Sequence, residues 1–249
     1  MEIFDVYIRK VADYAAQMEA AGRRVRLFQS PASPQDMTEG FPFRVGPEAN
    51  RGIILRGDTS VELGNPEMGA CAFTLFTDDC SRVRGGRITL IGPDISESDG
   101  KSLPFGQVLI VGGSGIENKD YEMLRYTGFV GDQIEGYMMR SLTRSVWSRV
   151  SREAASKGFS FRHLGQALMA IYTSDNSKIE VMEAIFVTSD RNDLKPLDDM
   201  GAQVQKITRE IVKENRKVRG YDIECGSDCS SCDDRKVCDD IRDVVKSRC

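Results

Sequence analysis

The chain has 249 residues, of which 40% are hydrophobic, and a formal net charge of −4. It is long enough to bury a real core, as one large α/β domain or as one domain of about 200 residues with an appendage. The acidic balance argues against general nucleic-acid binding, for which a basic face dominates affinity. The sequence holds no apolar run of membrane-span length, and its start lacks the layout of a secretory signal, so we expect a cytoplasmic protein.

Helices and strands are predicted to alternate through most of the chain. A helical period over residues 2–20, ended by Gly22, predicts the first helix. Strands are predicted at residues 25–28, 51–56, 60–63, 72–76, 88–91, 104–113, 146–150 and 181–187. Further helices are predicted at residues 117–140, 161–172, 196–216 and 241–246. This order favours the α/β class, with a mixed sheet covered by helices.

Residues 140–165 contain the chain's single tryptophan, its single histidine and several arginines. Alternation places Trp147 and Arg149 on one face of a short strand, with the neighbouring valines toward the core. Ser151 is expected to cap a short helix that Gly158 ends in a left-handed conformation.

The residue types in this stretch suit a phosphorylated, adenine-bearing ligand. Guanidinium groups match phosphate oxygens two at a time, and an indole face stacks on a planar base. The alternative is structural: Trp147 would be a core residue, and the arginines would be solvated or paired to acidic groups. His163 is more simply interpreted as a partly buried structural residue than as a phosphate ligand.

A glycine-rich turn, Gly112-Gly113-Ser114-Gly115, follows the predicted strand at residues 104–113. Backbone amides in such a turn can bind phosphate. Its spacing fits neither the dinucleotide fingerprint nor the lysine-bearing phosphate loop. Tight-turn geometry, for which glycine is the default residue, is the alternative interpretation.

The composition changes near residue 217, so residues 1–216 are predicted to form the main domain and residues 217–249 a cysteine-rich tail. The tail carries Cys225, Cys229, Cys232 and Cys238 in the pattern C-x3-C-x2-C-x5-C, with Cys249 at the end. Four thiolates this close can surround tetrahedral zinc or a cubane iron–sulfur cluster. The three-cysteine spacing is closer to an iron–sulfur site, and a [4Fe-4S] cluster is the expected cofactor, with zinc as the alternative. Cys71 and Cys80 have no third ligand close in sequence and are expected to be thiols.

Three segments resemble the central domain of acetyl-CoA synthase, the β subunit of the carbon monoxide dehydrogenase/acetyl-CoA synthase complex of anaerobes. They are ELGNPEMGACAFTLFTDD, RGGRITLIGPDISE and TRSVWSRVSREAASKGFSFRHLG. The resemblance covers residues 22–216, and the third segment is the most specific. It implies a role in anaerobic one-carbon metabolism, the acetyl-CoA (Wood–Ljungdahl) pathway. It also implies that Arg144, Trp147, Arg149 and Arg152 bind coenzyme A.

The chain departs from that family at the metal centre. The family's catalytic domain holds a nickel–iron–sulfur cluster in which a Cys-Gly-Cys segment chelates nickel, and no Cys-Gly-Cys occurs in this sequence. Whether acyltransferase activity is retained is therefore open. The alternatives are a relative that binds coenzyme A and an iron–sulfur cluster, an accessory electron-transfer protein that docks on a corrinoid protein or dehydrogenase-type subunit, and a structural zinc module.

Overall fold

A computed structural model describes most of the chain. The described residues are 2–47, 49, 53–100, 102–121, 124, 133–141, 146–218 and 235–247. The chain divides into two compact units, Met1–Thr208 and Arg209–Cys249. Three of the four tail cysteines of the predicted metal site, Cys225, Cys229 and Cys232, lie outside the described residues, as does Cys249.

The described α-helices have the following bounds: α1 Asp5–Ala20, α2 Pro34–Met37, α3 Arg152–Ser156, α4 Phe161–Asp175, α5 Lys195–Val218 and α6 Arg235–Ser247. The predicted first helix is confirmed, and Gly22 follows it with a φ of 78°. No described helix has both the length and the apolar character needed to cross a bilayer.

The described residues contain eight β-strands, which form two sheets. Their bounds are β1 Val25–Gln29, β2 Thr59–Leu63, β3 Ala70–Thr77, β4 Arg87–Ile91, β5 Phe105–Gly112, β6 Tyr137–Ser141, β7 Val146–Ser151 and β8 Val181–Val187. The larger sheet has five strands in the order β1-β4-β8-β5-β3, and the smaller has three in the order β2-β7-β6. The β3/β5 and β4/β8 pairs are parallel and the β1/β4 and β5/β8 pairs antiparallel, so the predicted mixed sheet is confirmed.

The core lies around the five-stranded sheet. Every residue of β5 is buried, as expected of an interior strand covered on both faces. Phe161 of α4 packs on Phe105 and Phe186, whose rings are 5.9 and 5.3 Å away. A Cβ on Gly165 would lie 2.7 Å from Ile88, so α4 approaches β4 closely because that position has no side chain.

Two predicted elements differ from the structure. The described part of residues 51–56 is not a strand: residues 53–55 are irregular and Arg56–Asp58 is a 3-10 helix. The helix predicted at residues 117–140 is wrong at both ends, where the structure has a 3-10 helix at Asn118–Asp120 and strand β6; Tyr121 and Leu124 are helical, and residues 122–123 and 125–132 lie outside the described residues. Gly136 precedes β6 with a φ of 76°, a left-handed conformation that an α-helix does not accommodate.

Candidate functional site

The face of the smaller sheet that carries Trp147 and Arg149 is the candidate site. The antiparallel register places Arg149 opposite Glu62 of β2, and Trp147 opposite Arg140 of β6. Residues directly opposite on neighbouring strands point to the same face. We call the group formed by the half-buried Glu62, Trp147 and Arg149 and the exposed Arg140 and Arg152 the Trp147 surface; Arg152 is the first residue of the helix that follows β7.

The other face of β7 is part of the core, as the alternation predicts. Val150 and Ser148 are fully buried. The hydroxyl of Tyr137 donates to the Ser148 hydroxyl at 2.9 Å, which satisfies a polar group inside the protein. The strand therefore has one buried face and one face available to a ligand.

Arg149 is held by groups of the protein itself. Its Nε and Nη2 both lie 3.2 Å from Oε1 of Glu62, and its Nη1 donates to the Ile54 carbonyl at 3.1 Å. Its guanidinium carbon lies 4.5 Å from the centre of the Trp147 ring, a cation–π distance. Arg149 thus positions the indole, and its own charge is already offset by Glu62.

Glu62 connects these groups. Burial by itself would raise the Glu62 pKa, but hydrogen bonds from Asn65, Arg149 and the Trp147 indole lower it below its ordinary value. The carboxyl group is therefore ionised at neutral pH. Trp147 is only half-buried, so the carboxylate and the guanidinium fix an indole that keeps accessible surface.

The remaining arginines differ in position. Arg152 is exposed at the first residue of α3, with Nε 3.4 Å from the Thr59 carbonyl. Ser151 caps this helix by accepting from the Ala154 amide, and Gly158 has the predicted left-handed φ of 84°. Arg140 is exposed and lies across from Trp147. Arg144 lies outside the described residues.

Sequence reasoning missed Glu62 and Arg140 as members of this surface. The sequence places Glu62 in the predicted strand at residues 60–63. A single sequence does not show that this strand pairs with the one that carries Arg149, so the contact is not predicted. The predicted helix at residues 117–140 ends at Arg140, whereas the structure places Arg140 in β6.

Comparison with known proteins decides the family. A family model described as the CO dehydrogenase/acetyl-CoA synthase complex beta subunit matches residues 41–193. The chain belongs to this family. The matched range includes β2 to β8 and every described residue of the Trp147 surface.

Curated relatives are archaeal proteins named acetyl-CoA decarbonylase/synthase complex subunit beta. The Archaeoglobus fulgidus protein is 30% identical over 152 residues, which are 59% of this chain and 29% of the relative. Subunit beta 2 of Methanosarcina mazei is 26% identical over 200 residues, 79% of this chain and 41% of the relative. The Methanopyrus kandleri protein is 27% identical over 176 residues, 70% of this chain and 37% of the relative. The chain thus spans less than half the length of these relatives.

In this CO dehydrogenase/acetyl-CoA synthase family member, backbone amides of the glycine turn after β5 donate hydrogen bonds to other groups of the protein. The Gly113 amide donates to the Thr77 carbonyl at 3.1 Å, and the Ser114 amide donates to the Glu180 carboxylate at 2.8 Å. A Cβ on Gly113 would overlap the carbonyl oxygen of Lys178. Close packing accounts for this glycine, as the tight-turn interpretation expects.

The surroundings of His163 are mainly aromatic. Its ring contacts Phe41 and Phe43 edge-on, at centroid distances of 4.8 and 5.5 Å. Its Nδ1 lies 2.9 Å from the Ser160 hydroxyl. Burial, followed by the positive charge of Arg162, lowers its pKa, so the imidazole is neutral at neutral pH. These contacts agree with a structural role.

Cys238 is the one predicted metal ligand that the structure describes. It lies in the first turns of α6 and is partly exposed. Within the described ranges there is no group of three or more histidine, cysteine or acidic side chains arranged to hold a metal. The four-cysteine site at Cys225, Cys229, Cys232 and Cys238 therefore stays a prediction.

Proposed function

We propose that the chain acts in the acetyl-CoA metabolism of its family and that the Trp147 surface binds coenzyme A or a related phosphorylated ligand. The observation that carries the proposal is the half-buried indole of Trp147, packed on Arg149 and opposite the exposed Arg140 of β6, with the exposed Arg152 at the start of the helix that follows β7. An indole held in advance loses little conformational freedom when it stacks on adenine. Arg140 and Arg152 supply positive charge for the phosphates, whereas Arg149 orients the indole.

Intrinsic fluorescence tests this proposal directly, because Trp147 is the single tryptophan. Titration with coenzyme A is expected to change Trp147 emission, and calorimetry on the same protein gives the affinity. Arg140→Gln and Arg152→Gln are each expected to weaken binding about tenfold, equivalent to about 1.4 kcal/mol. Arg162→Gln, an equal charge change on α4, is the matched control and should bind like wild type.

Ligand fragments separate the contributions of phosphate and adenine. Dephospho-coenzyme A lacks the 3′-phosphate and should bind more weakly than coenzyme A. Pantetheine lacks both phosphate and adenine and should leave Trp147 emission unchanged. Equal affinities for coenzyme A and pantetheine would contradict the proposal.

For the tail, we propose that Cys225, Cys229, Cys232 and Cys238 hold a [4Fe-4S] cluster, with zinc as the alternative occupant. The donor chemistry fits, since four cysteine thiolates suit either centre. A cluster would supply one-electron transfer. The nickel site of the family is not supported by these residues, because a Cys-Gly-Cys segment is absent from the sequence.

The four tail cysteines, as ligands of an iron–sulfur cluster, favour a second candidate function, that of a non-catalytic electron-transfer protein. Such a protein would dock on a corrinoid protein or on a CO dehydrogenase-type subunit. The relatives are named as subunits of a complex, which supports the search for a partner of this kind. The two candidate functions differ in their ligand, since only the first requires coenzyme A binding.

Anaerobic iron, sulfide and zinc analysis of the purified chain tests the tail assignment. About four iron and four sulfide per chain are expected for a cubane cluster, and one zinc would remove the redox roles. Cys229→Ser should lower the iron content, whereas Cys80→Ser, a change at a partly exposed cysteine outside the tail, should not. Equal iron in both variants would contradict the four-cysteine site.

A further inference from the structure

A cavity of about 280 Å³ lies between α1 and the five-stranded sheet, away from the Trp147 surface. One wall is apolar and consists of Ile8, Val11, Ala12 and Ala15 of α1 with Ile110 and Ile185 of the sheet. The other wall is polar and comes from β4, β8 and the connection that precedes β4. The α1 residues precede the range that matches the family, residues 41–193.

The charged residues that line the cavity, including Asp5 and Arg9 of α1, carry an excess of positive charge. Four arginines line the cavity, Arg9, Arg82, Arg84 and Arg87, against two carboxylates, Asp5 and Glu183. Arg82 is neutralised, because its Nε lies 3.3 Å from Asp5 and 3.0 Å from Asp79. In the described part of the chain, the guanidinium groups of Arg9 and Arg84 make no ion pair.

Arg87 presents an unsatisfied donor at this wall. Its Nε is shielded from solvent and has no hydrogen-bond partner among the described residues. The nearest carboxylate oxygen, Oε1 of Glu183, lies 4.0 Å away, which is beyond hydrogen-bond length. A buried donor without a partner destabilises the folded state, and a ligand oxygen at this position would accept its hydrogen bond.

Glu183 is the buried carboxylate beside Arg84 and Arg87. Its side chain is 7% exposed and accepts a hydrogen bond from the Arg84 amide at 3.3 Å. Burial raises its pKa, even though Arg84 and Arg87 act in the opposite direction. Arg87 and Glu183 are too far apart for a hydrogen bond, so the Arg87 Nε–H is left for a ligand oxygen.

We propose that this cavity binds a small phosphate monoester, with the phosphate at Arg84, Arg87 and Arg9 and the organic group against the apolar wall of α1. Guanidinium groups bind phosphate oxygens in pairs, and a phosphate dianion offers oxygens to more than one of these three arginines. The volume lies below the range of about 300–1,000 Å³ typical of drug-sized ligands, which restricts the occupant to a compact molecule. The site is separate from coenzyme A recognition.

Calorimetry of the full chain with phenyl phosphate tests the proposal. Phenyl phosphate is expected to bind more tightly than inorganic phosphate, which lacks the apolar group, than benzoate, which carries a single charge, and than neutral phenol. Arg84→Gln and Arg87→Gln should each weaken phenyl phosphate binding at least about tenfold. Neither change should alter coenzyme A affinity, and Arg152→Gln should leave phenyl phosphate affinity unchanged.

A matched pair on α1 tests the apolar wall. Ala12→Leu fills the cavity and should abolish phenyl phosphate binding, whereas Ala16→Leu places the same side chain on the exposed face of the helix and should not. Arg84 is exposed, so Arg84→Gln is informative even if Arg87→Gln fails to fold. The proposal is overturned if phenyl phosphate binds no more tightly than benzoate or inorganic phosphate, or if Arg84→Gln binds it like wild type.

Discussion

Arg149 and Trp147 stand two positions apart on β7, and the guanidinium of the first packs 4.5 Å from the ring centre of the second. Both are tied to Glu62, which accepts hydrogen bonds from each. The most deeply placed arginine of the candidate site is therefore part of a fixed platform. The proposed phosphate contacts at this surface are therefore assigned to the exposed Arg140 and Arg152.

Removal of the Glu62 charge should destabilise the platform. Glu62→Gln leaves Arg149 partly buried without a counter-charge and should lower the free energy of unfolding by about 1–3 kcal/mol at neutral pH. Because the folded-state pKa of Glu62 is lowered, this stabilisation is present above its ordinary pKa and is lost as pH falls through the folded-state value. Urea denaturation of both proteins at neutral and acidic pH measures the difference.

Glu153→Gln is the control for this change. It removes a similar carboxylate from an exposed pair with Lys157, in which Glu153 is 72% exposed. Exposed pairs contribute about 0–1 kcal/mol, so little change is expected. Equal losses for Glu62→Gln and Glu153→Gln would show that the Glu62 contacts do not hold the platform.

The helix that carries Arg152 depends on its cap. Ser151→Ala removes the acceptor for the Ala154 amide and should lower stability by about 1 kcal/mol. If Arg152 binds phosphate, the frayed first turn should also weaken coenzyme A binding. Ser156→Ala changes a serine at the other end of α3, whose hydroxyl donates to the Glu153 carbonyl, and should leave binding unchanged. Calorimetry with coenzyme A separates the two variants.

Sequence features that depend only on neighbouring residues predict much of this site. They do not predict which strands, distant in sequence, pair with each other. The alternation at residues 146–150, the Ser151 cap and the Gly158 stop are all confirmed, because each depends on neighbours in sequence. Glu62 reaches Arg149 across 87 positions, a contact fixed by strand register. The helix predicted over residues 117–140 fails at β6, where pairing with β7 overrides a local apolar pattern.

The contribution of Glu183 to stability should depend on pH with a sign opposite to that of Glu62. Its folded-state pKa is raised above the ordinary 4.5 by burial, so its contribution to stability is present below that value and is lost as pH rises through the folded-state pKa. The stability of Glu183→Gln relative to wild type should therefore increase from about pH 4 to about pH 8. Glu180→Gln should show the reverse trend, since hydrogen bonds from Ser114 lower the Glu180 pKa. Parallel curves for the two variants would contradict the burial argument.

Gly113 should be intolerant of any side chain. Its amide already donates to Thr77, and an added Cβ would overlap the Lys178 carbonyl oxygen, which is backbone and cannot rotate away. Gly113→Ala is thus expected to cost about 3 kcal/mol or more, at the upper end of overpacking penalties. Gly115→Ala, two positions along the same turn, meets nothing within 4 Å and should leave stability nearly unchanged. Thermal unfolding of the two variants compares their stabilities directly. A mild effect of Gly113→Ala would mean that the turn can open. Its backbone amides could then bind phosphate, the alternative interpretation of this glycine turn.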